Sequence, residues 1–132
     1  MTADRPDGAK LLAEARRTLL ETLLPLLPAD RRYDGLMIAN AMAIAARELA
    51  EQGRGARDML AELMTLLPPP DASDVSQTPP PELLTHLEAH LAHDIRGGLY
   101  DADNDRRAAV ARYLLTATRA RLRLSNPKLV AE

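Results

Sequence analysis

Four sets of side chains have types and spacings that could do chemistry. His86, His90 and His93 fall at i, i+4 and i+7, with Glu82 one turn earlier. On a helix, histidines at i and i+4 can chelate Zn²⁺ or Ni²⁺. The row sits about 120° from the leucine face of the same segment, however, which favours exposed surface histidines over a metal centre. No HExxH and no Glu-x-x-His pair is present, which argues against a zinc hydrolase and a di-iron carboxylate bundle. Asp101, Asp103 and Asp105 open like a calcium loop, but Arg106 stands where that loop needs glycine and Arg112 where it needs glutamate. This run is read as a helix cap. No metal is therefore expected, His86, His90 and His93 being the weak candidates.

Tyr33, Asn40 and Arg47 are spaced by seven and fall within about 40° of one another on a helix, with Glu48 on the adjacent face. Such a stripe suits a buried clamp, Arg47 holding a carboxylate or phosphate and Asn40 orienting it. It equally suits a structural network that fixes helix register. Arg112, Arg119 and Arg123 share a face near the C-terminus, with Arg107 and Arg121 elsewhere on the same segment. They offer an anion or partner surface, or simply a solvated helix face.

These groups ride on segments that read as helices. The chain has 132 residues, 46% hydrophobic, with no Trp or Phe and only three Tyr. A core of Leu, Ala, Ile, Val and Met packs helix against helix more readily than it fills a β-sandwich. Leu36 to Ala50, LMIANAMAIAARELA, is apolar on every side and is expected to be the buried centre of the fold.

Five helices are expected in an all-α single domain spanning 1–132. The first covers residues 6–27, with Asp4 as cap, a stripe of Leu12, Ala15, Leu19, Leu23 and Leu27, loosening at Pro25 and a stop at Pro28. The second covers 31–52, capped by Asp30 and closed by Gly53-Arg54-Gly55. The third covers 56–67 and buries Met59, Leu60, Leu63, Leu66 and Leu67. Residues 68–81, PPPDASDVSQTPPP, form an exposed proline-rich loop. The fourth covers 80–95, with Thr78 as cap, a face of Leu83, Leu84, Leu87, Leu91 and Ile95, and a stop at Gly97-Gly98. The fifth covers 105–124, with Val110, Tyr113, Leu114, Ala117 and Leu124 on one side and Leu115 and Leu122 on another.

Whole function classes drop out. Without cysteine there are no disulfides, thiolate nucleophiles or Cys-based zinc sites. A net charge of -2 and the scarcity of aromatic side chains disfavour nucleic acid. No apolar run approaches the ~18 residues of a membrane span, and MTADRPDGAK does not read as a signal peptide, so a cytoplasmic protein is expected. Serines in loops without Gly-x-Ser-x-Gly, and the absence of a Walker loop, leave no catalytic motif and no expected cofactor.

Several separated segments carry a family resemblance. They are Arg5-Pro6 followed by a Leu pair, IANAMAIAARELA at 38–50, IRGGLYD at 95–101, and the end of the fifth helix running into Asn126-Pro127. In this order they resemble a bacterial family of small helical proteins of unknown function. Its members are commonly encoded beside, or fused to, kinases like the aminoglycoside phosphotransferases, often with an acyl-CoA dehydrogenase nearby. The proline-rich loop and the histidine row are not part of that pattern. The resemblance implies a non-catalytic accessory or interaction domain of such a kinase, acting in acyl-CoA metabolism, with any kinase activity belonging to the partner. The alternative is a small-molecule binding protein, for an acyl or CoA-type ligand, with a polar pocket around Asn40 and Arg47. A homodimer is also expected as an option, because a small leucine-rich bundle often leaves an apolar stripe to cover.

Overall fold

The structure is a computed structural model that describes residues 7–67 and 77–130. Asp4, Pro6 and most of the proline-rich loop, 68–76, lie outside the described residues. The expected all-α class holds. Among the described residues there are five α-helices and no strand: α1 (Gly8–Thr18), α2 (Arg32–Glu51), α3 (Arg54–Leu66), α4 (Pro80–Arg96) and α5 (Asp105–Ser125). The chain forms two compact units, Met1–Gln52 and Gly53–Glu132.

In the first unit α1 packs along α2. Asp7 caps α1, its carboxylate accepting from the Lys10 N–H at 2.8 Å. Beyond Thr18 the helix widens into a π segment, Leu19–Leu23, where the Leu24 N–H reaches back to the Leu19 carbonyl, and then tightens into the 3₁₀ turn Leu24–Leu26. Pro25 accounts for the loosening. It has no N–H to give, and its ring pushes away the carbonyl one turn back. The π segment also adds a residue to the turn, which rotates everything after it. The expected stripe is corrected accordingly beyond Thr18, where Leu23 is exposed whereas Leu20 and Leu24 are half-buried; Ala15, ahead of the π segment, is exposed as well.

Gly35 is one of two buried residues of α2, the other being Ala39. A Cβ at Gly35 would sit 2.8 Å from Leu24 Cδ1 and 3.0 Å from Leu27 Cδ1, so glycine is what admits that leucine pair. Arg16 Nε donates to the Ala39 carbonyl at 3.1 Å and ties α1 to the middle of α2. Asp30 does not cap α2. It belongs to the 3₁₀ turn Ala29–Arg31, and Arg31 occupies the cap position with no side-chain hydrogen bond.

The larger correction concerns α2 as a whole. It is not the buried centre: Tyr33, Leu36, Met37, Ile38 and Leu49 are all exposed. A helical hairpin can bury one face of each helix against the other, and an all-round apolar helix then has faces left over.

The core lies in the second unit. Gln52 and Gly53 both take positive φ, 57° and 72°, which ends α2, and α3 starts at once; Arg54 and Gly55 are helical, two residues earlier than expected. Helix α3 packs against both α4 and α5. Met59, Leu63 and Leu67 form one cluster with Leu84, Leu91, Tyr100, Val110, Tyr113 and Ala117. The positions expected from sequence for α3 thus meet the matching faces of α4 and α5. Thr78 does not cap α4; Pro79 precedes it, and prolines take up the first helical positions, where their missing N–H costs nothing. Asn104 caps α5, its side-chain oxygen accepting from the Arg107 N–H at 3.1 Å. Asn104→Ala is expected to cost about 1 kcal/mol, readable as a lower urea midpoint.

Candidate functional site: a groove between α4 and α5

Helices α4 and α5 meet through α3 on one side and leave a trough on another. A cavity of about 500 Å³ is lined by Ile95 from α4, by Tyr100 and Asp101 from the connecting turn, and by Arg107, Val110, Ala111 and Leu114 from α5. A second, of about 180 Å³, shares Ile95 and Leu114 and extends past Leu91, Ala92, Ala117 and Thr118 to Glu88, Tyr113 and Arg121. The residues come from positions three and four apart on each helix, one stripe per helix, as a trough between two helices requires.

The two ends of the trough differ chemically. At one end Glu88 is saturated: Tyr113 Oη donates to Glu88 Oε1 at 2.7 Å, and Arg121 Nη2 donates to Oε1 and Oε2, each at 2.6 Å. Tyr113 is only 1% exposed, and its hydroxyl is held well above the ordinary tyrosine pKa. Burial is the main cause; the hydrogen bond to Glu88 and the Glu88 charge add to it, against a smaller opposing pull from Arg121. At the other end Arg107 Nη1 donates to the Asp101 carbonyl at 3.2 Å, a neutral acceptor. Arg106 lies over the Tyr100 ring, 5.6 Å from its centroid, and adds a second positive charge there.

The side chains singled out in the sequence fall elsewhere. Tyr33, Asn40 and Glu48 are exposed on α2, while Arg47 is half-buried and engaged with a neighbour. A buried clamp at Asn40 is therefore corrected to a surface position, and neither cavity described above is lined by Asn40 or Arg47. His86, His90 and His93 are all exposed, His90 Nε2 lying 3.5 Å from Asp94 Oδ2. Among the described residues no group of three or more His, Asp or Glu side chains is placed to hold a metal ion. Asp101, Asp103 and Asp105 lie exposed at the start of α5, and Arg112, Arg119 and Arg123 are exposed along it.

Sequence reasoning passed over Glu88. One signal was available: it stands one turn after Leu84 and one before Ala92, a carboxylate beside the apolar stripe of α4. A carboxylate so placed needs a donor from a neighbouring helix. Arg121 and Tyr113 supply it.

The fold and the groove define a small all-α protein, with no helix among the described residues long and apolar enough to cross a membrane. The chain belongs to the DUF6285 family, a domain of unknown function, which matches residues 25–129. No curated protein and no solved structure matches it.

Proposed function

We propose that this chain is a non-catalytic accessory module of a phosphotransferase-like small-molecule kinase acting in acyl-CoA metabolism. The kinase comes from the resemblance, whose segments span most of the sequence. The observation that supports an interaction role is the outward side of α2. Leu36, Met37 and Ile38 are each about half exposed, at 50%, 48% and 51%, and Tyr33 is 70% exposed. Met37 and Tyr33 lie on the side of α2 away from the buried Gly35 and Ala39, with Leu36 and Ile38 on its two flanks, and large apolar side chains left open in this way mark a surface that gains by being covered. Asn40 and Glu48 stand exposed among them and would set the register of a partner, and the Arg112, Arg119 and Arg123 row supplies a charged contact of opposite sign to an acidic surface.

The test is recovery of the tagged chain from its native cells, with co-purifying proteins identified by mass spectrometry and then reconstituted pairwise. A phosphotransferase-like kinase in equimolar amount is the expected result. Met37→Asp with Ile38→Asp, or alanine at Arg112, Arg119 and Arg123, should weaken the reconstituted complex at least about tenfold, as loss of interface anchors does. Recovery of the chain alone, or a complex indifferent to both sets of changes, overturns the proposal.

A further inference from the structure

The geometry points to the α4–α5 groove as a binding site for an alkyl carboxylate, its chain lying on the Ile95–Leu114 floor and its carboxylate held at Arg107. The size fits: a cavity of about 500 Å³, beside a second of about 180 Å³ that is also lined by Ile95 and Leu114, falls in the range of small-molecule sites. The floor is apolar yet partly open, with Ile95 38% and Leu114 44% exposed, so an alkyl chain would remove that surface from water. From Arg107 to Thr118 the trough runs roughly 16 Å along α5, which suits an extended chain better than a compact ring.

Polarity is set by the ends. Arg121 is neutralised by both oxygens of Glu88, and the Tyr113 hydroxyl is spent on the same carboxylate. That end holds no free charge for a ligand. Arg107 lines the trough and donates to the neutral Asp101 carbonyl, and no acidic side chain lies within ion-pair distance of it among the described residues, so its charge is not neutralised there. The Asp101 carboxylate lines the same end, but its Oδ2 turns toward Gly98 and makes no ion pair with Arg107. A guanidinium at the end of an apolar trough selects a carboxylate over an ammonium, and holds it best by two parallel hydrogen bonds. This inference is independent of the kinase partner: a chain that binds no kinase can still bind here, and the reverse.

The experiment titrates the ¹⁵N,¹³C-labelled full chain with decanoate below its micelle concentration, with decyltrimethylammonium as the cationic probe. The expected result is saturable one-to-one binding of decanoate, with methyl shifts centred on Ile95 and Leu114 and the cation at least about tenfold weaker. Arg107→Gln should lose about tenfold in decanoate affinity. Ala111→Leu, which fills the trough from an exposed position, should abolish binding while circular dichroism stays that of the parent; Lys128→Gln, exposed and outside both cavities, should leave decanoate affinity unchanged. Equal affinity for the two probes, shifts centred on α2, unsaturable binding, or full affinity in Arg107→Gln overturns the inference.

Discussion

Leu63→Ala is expected to destabilise the Gly53–Glu132 unit by about 2–5 kcal/mol, the largest effect of any single aliphatic truncation among the described residues. Leu63 is 0% exposed and sits in the last turn of α3, the helix that contacts both α4 and α5. Removing its branched end opens a cavity bounded by side chains from three helices. None of them can close it alone, because each is held by its own helix packing against the others. Domains of this kind are held by only about 5–15 kcal/mol, so the loss removes a large share of the margin. Urea unfolding followed by circular dichroism measures it. Leu26→Ala is the control: Leu26 is 77% exposed, and a change of no more than about 0.5 kcal/mol is expected. Equal midpoints for the two variants would mean that α3 is not the centre of the core.

The second large effect comes from the polar triad. Glu88→Ala leaves the buried Tyr113 hydroxyl without its acceptor, and a stranded buried polar group costs about 1–3 kcal/mol. The Arg121 pair adds less, since Arg121 is about half exposed and solvent screens it. Tyr113→Phe should cost about 1 kcal/mol, and the double variant Glu88→Ala with Tyr113→Phe less than the sum, because the stranded hydroxyl is gone.

A pH dependence follows from the same group. Tyr113 is harder to ionise in the folded protein than at its ordinary value of 10.0, so its contribution to stability is complete below pH 10. As pH rises above 10 the unfolded chain releases the proton while the folded one retains it. Stability then falls progressively toward the raised folded value. The melting temperature should drop above pH 10 in the parent and drop less in Tyr113→Phe. Parallel curves would show that the hydroxyl is not buried against Glu88.

How much of this was legible in the residues varies with the kind of signal. Apolar spacing placed the buried face of α3 and most of that of α4 and α5, because Met59, Leu63, Leu67, Leu84 and Leu91 repeat at three and four. Pro25 announced the break near the end of the first helix, but not that a π segment would rotate the stripe and bring Leu24 rather than Leu23 toward α2. Caps were least legible. Asp30 and Thr78 are suitable residue types at suitable places, yet α2 and α4 begin without a side-chain cap. A preceding 3₁₀ turn and a proline start supply alternatives that residue type alone does not reveal.

The sequence by itself determined an all-helical chain, most of the stripe that each core helix would bury, though not that Ile95 and Leu114 stay open, and the absence of cysteine chemistry. These are local or compositional properties, and helical periodicity is a local property of the backbone. The tertiary structure decided which stripes meet. It put the core among α3, α4 and α5 rather than around α2, although α2 is the more continuously apolar segment, because burial depends on how many helices surround a given one. It also brought Glu88 to Tyr113 and Arg121, 25 and 33 residues away, and left Arg107 lining an apolar trough. Those pairings join different helices, and no periodicity within one helix encodes them.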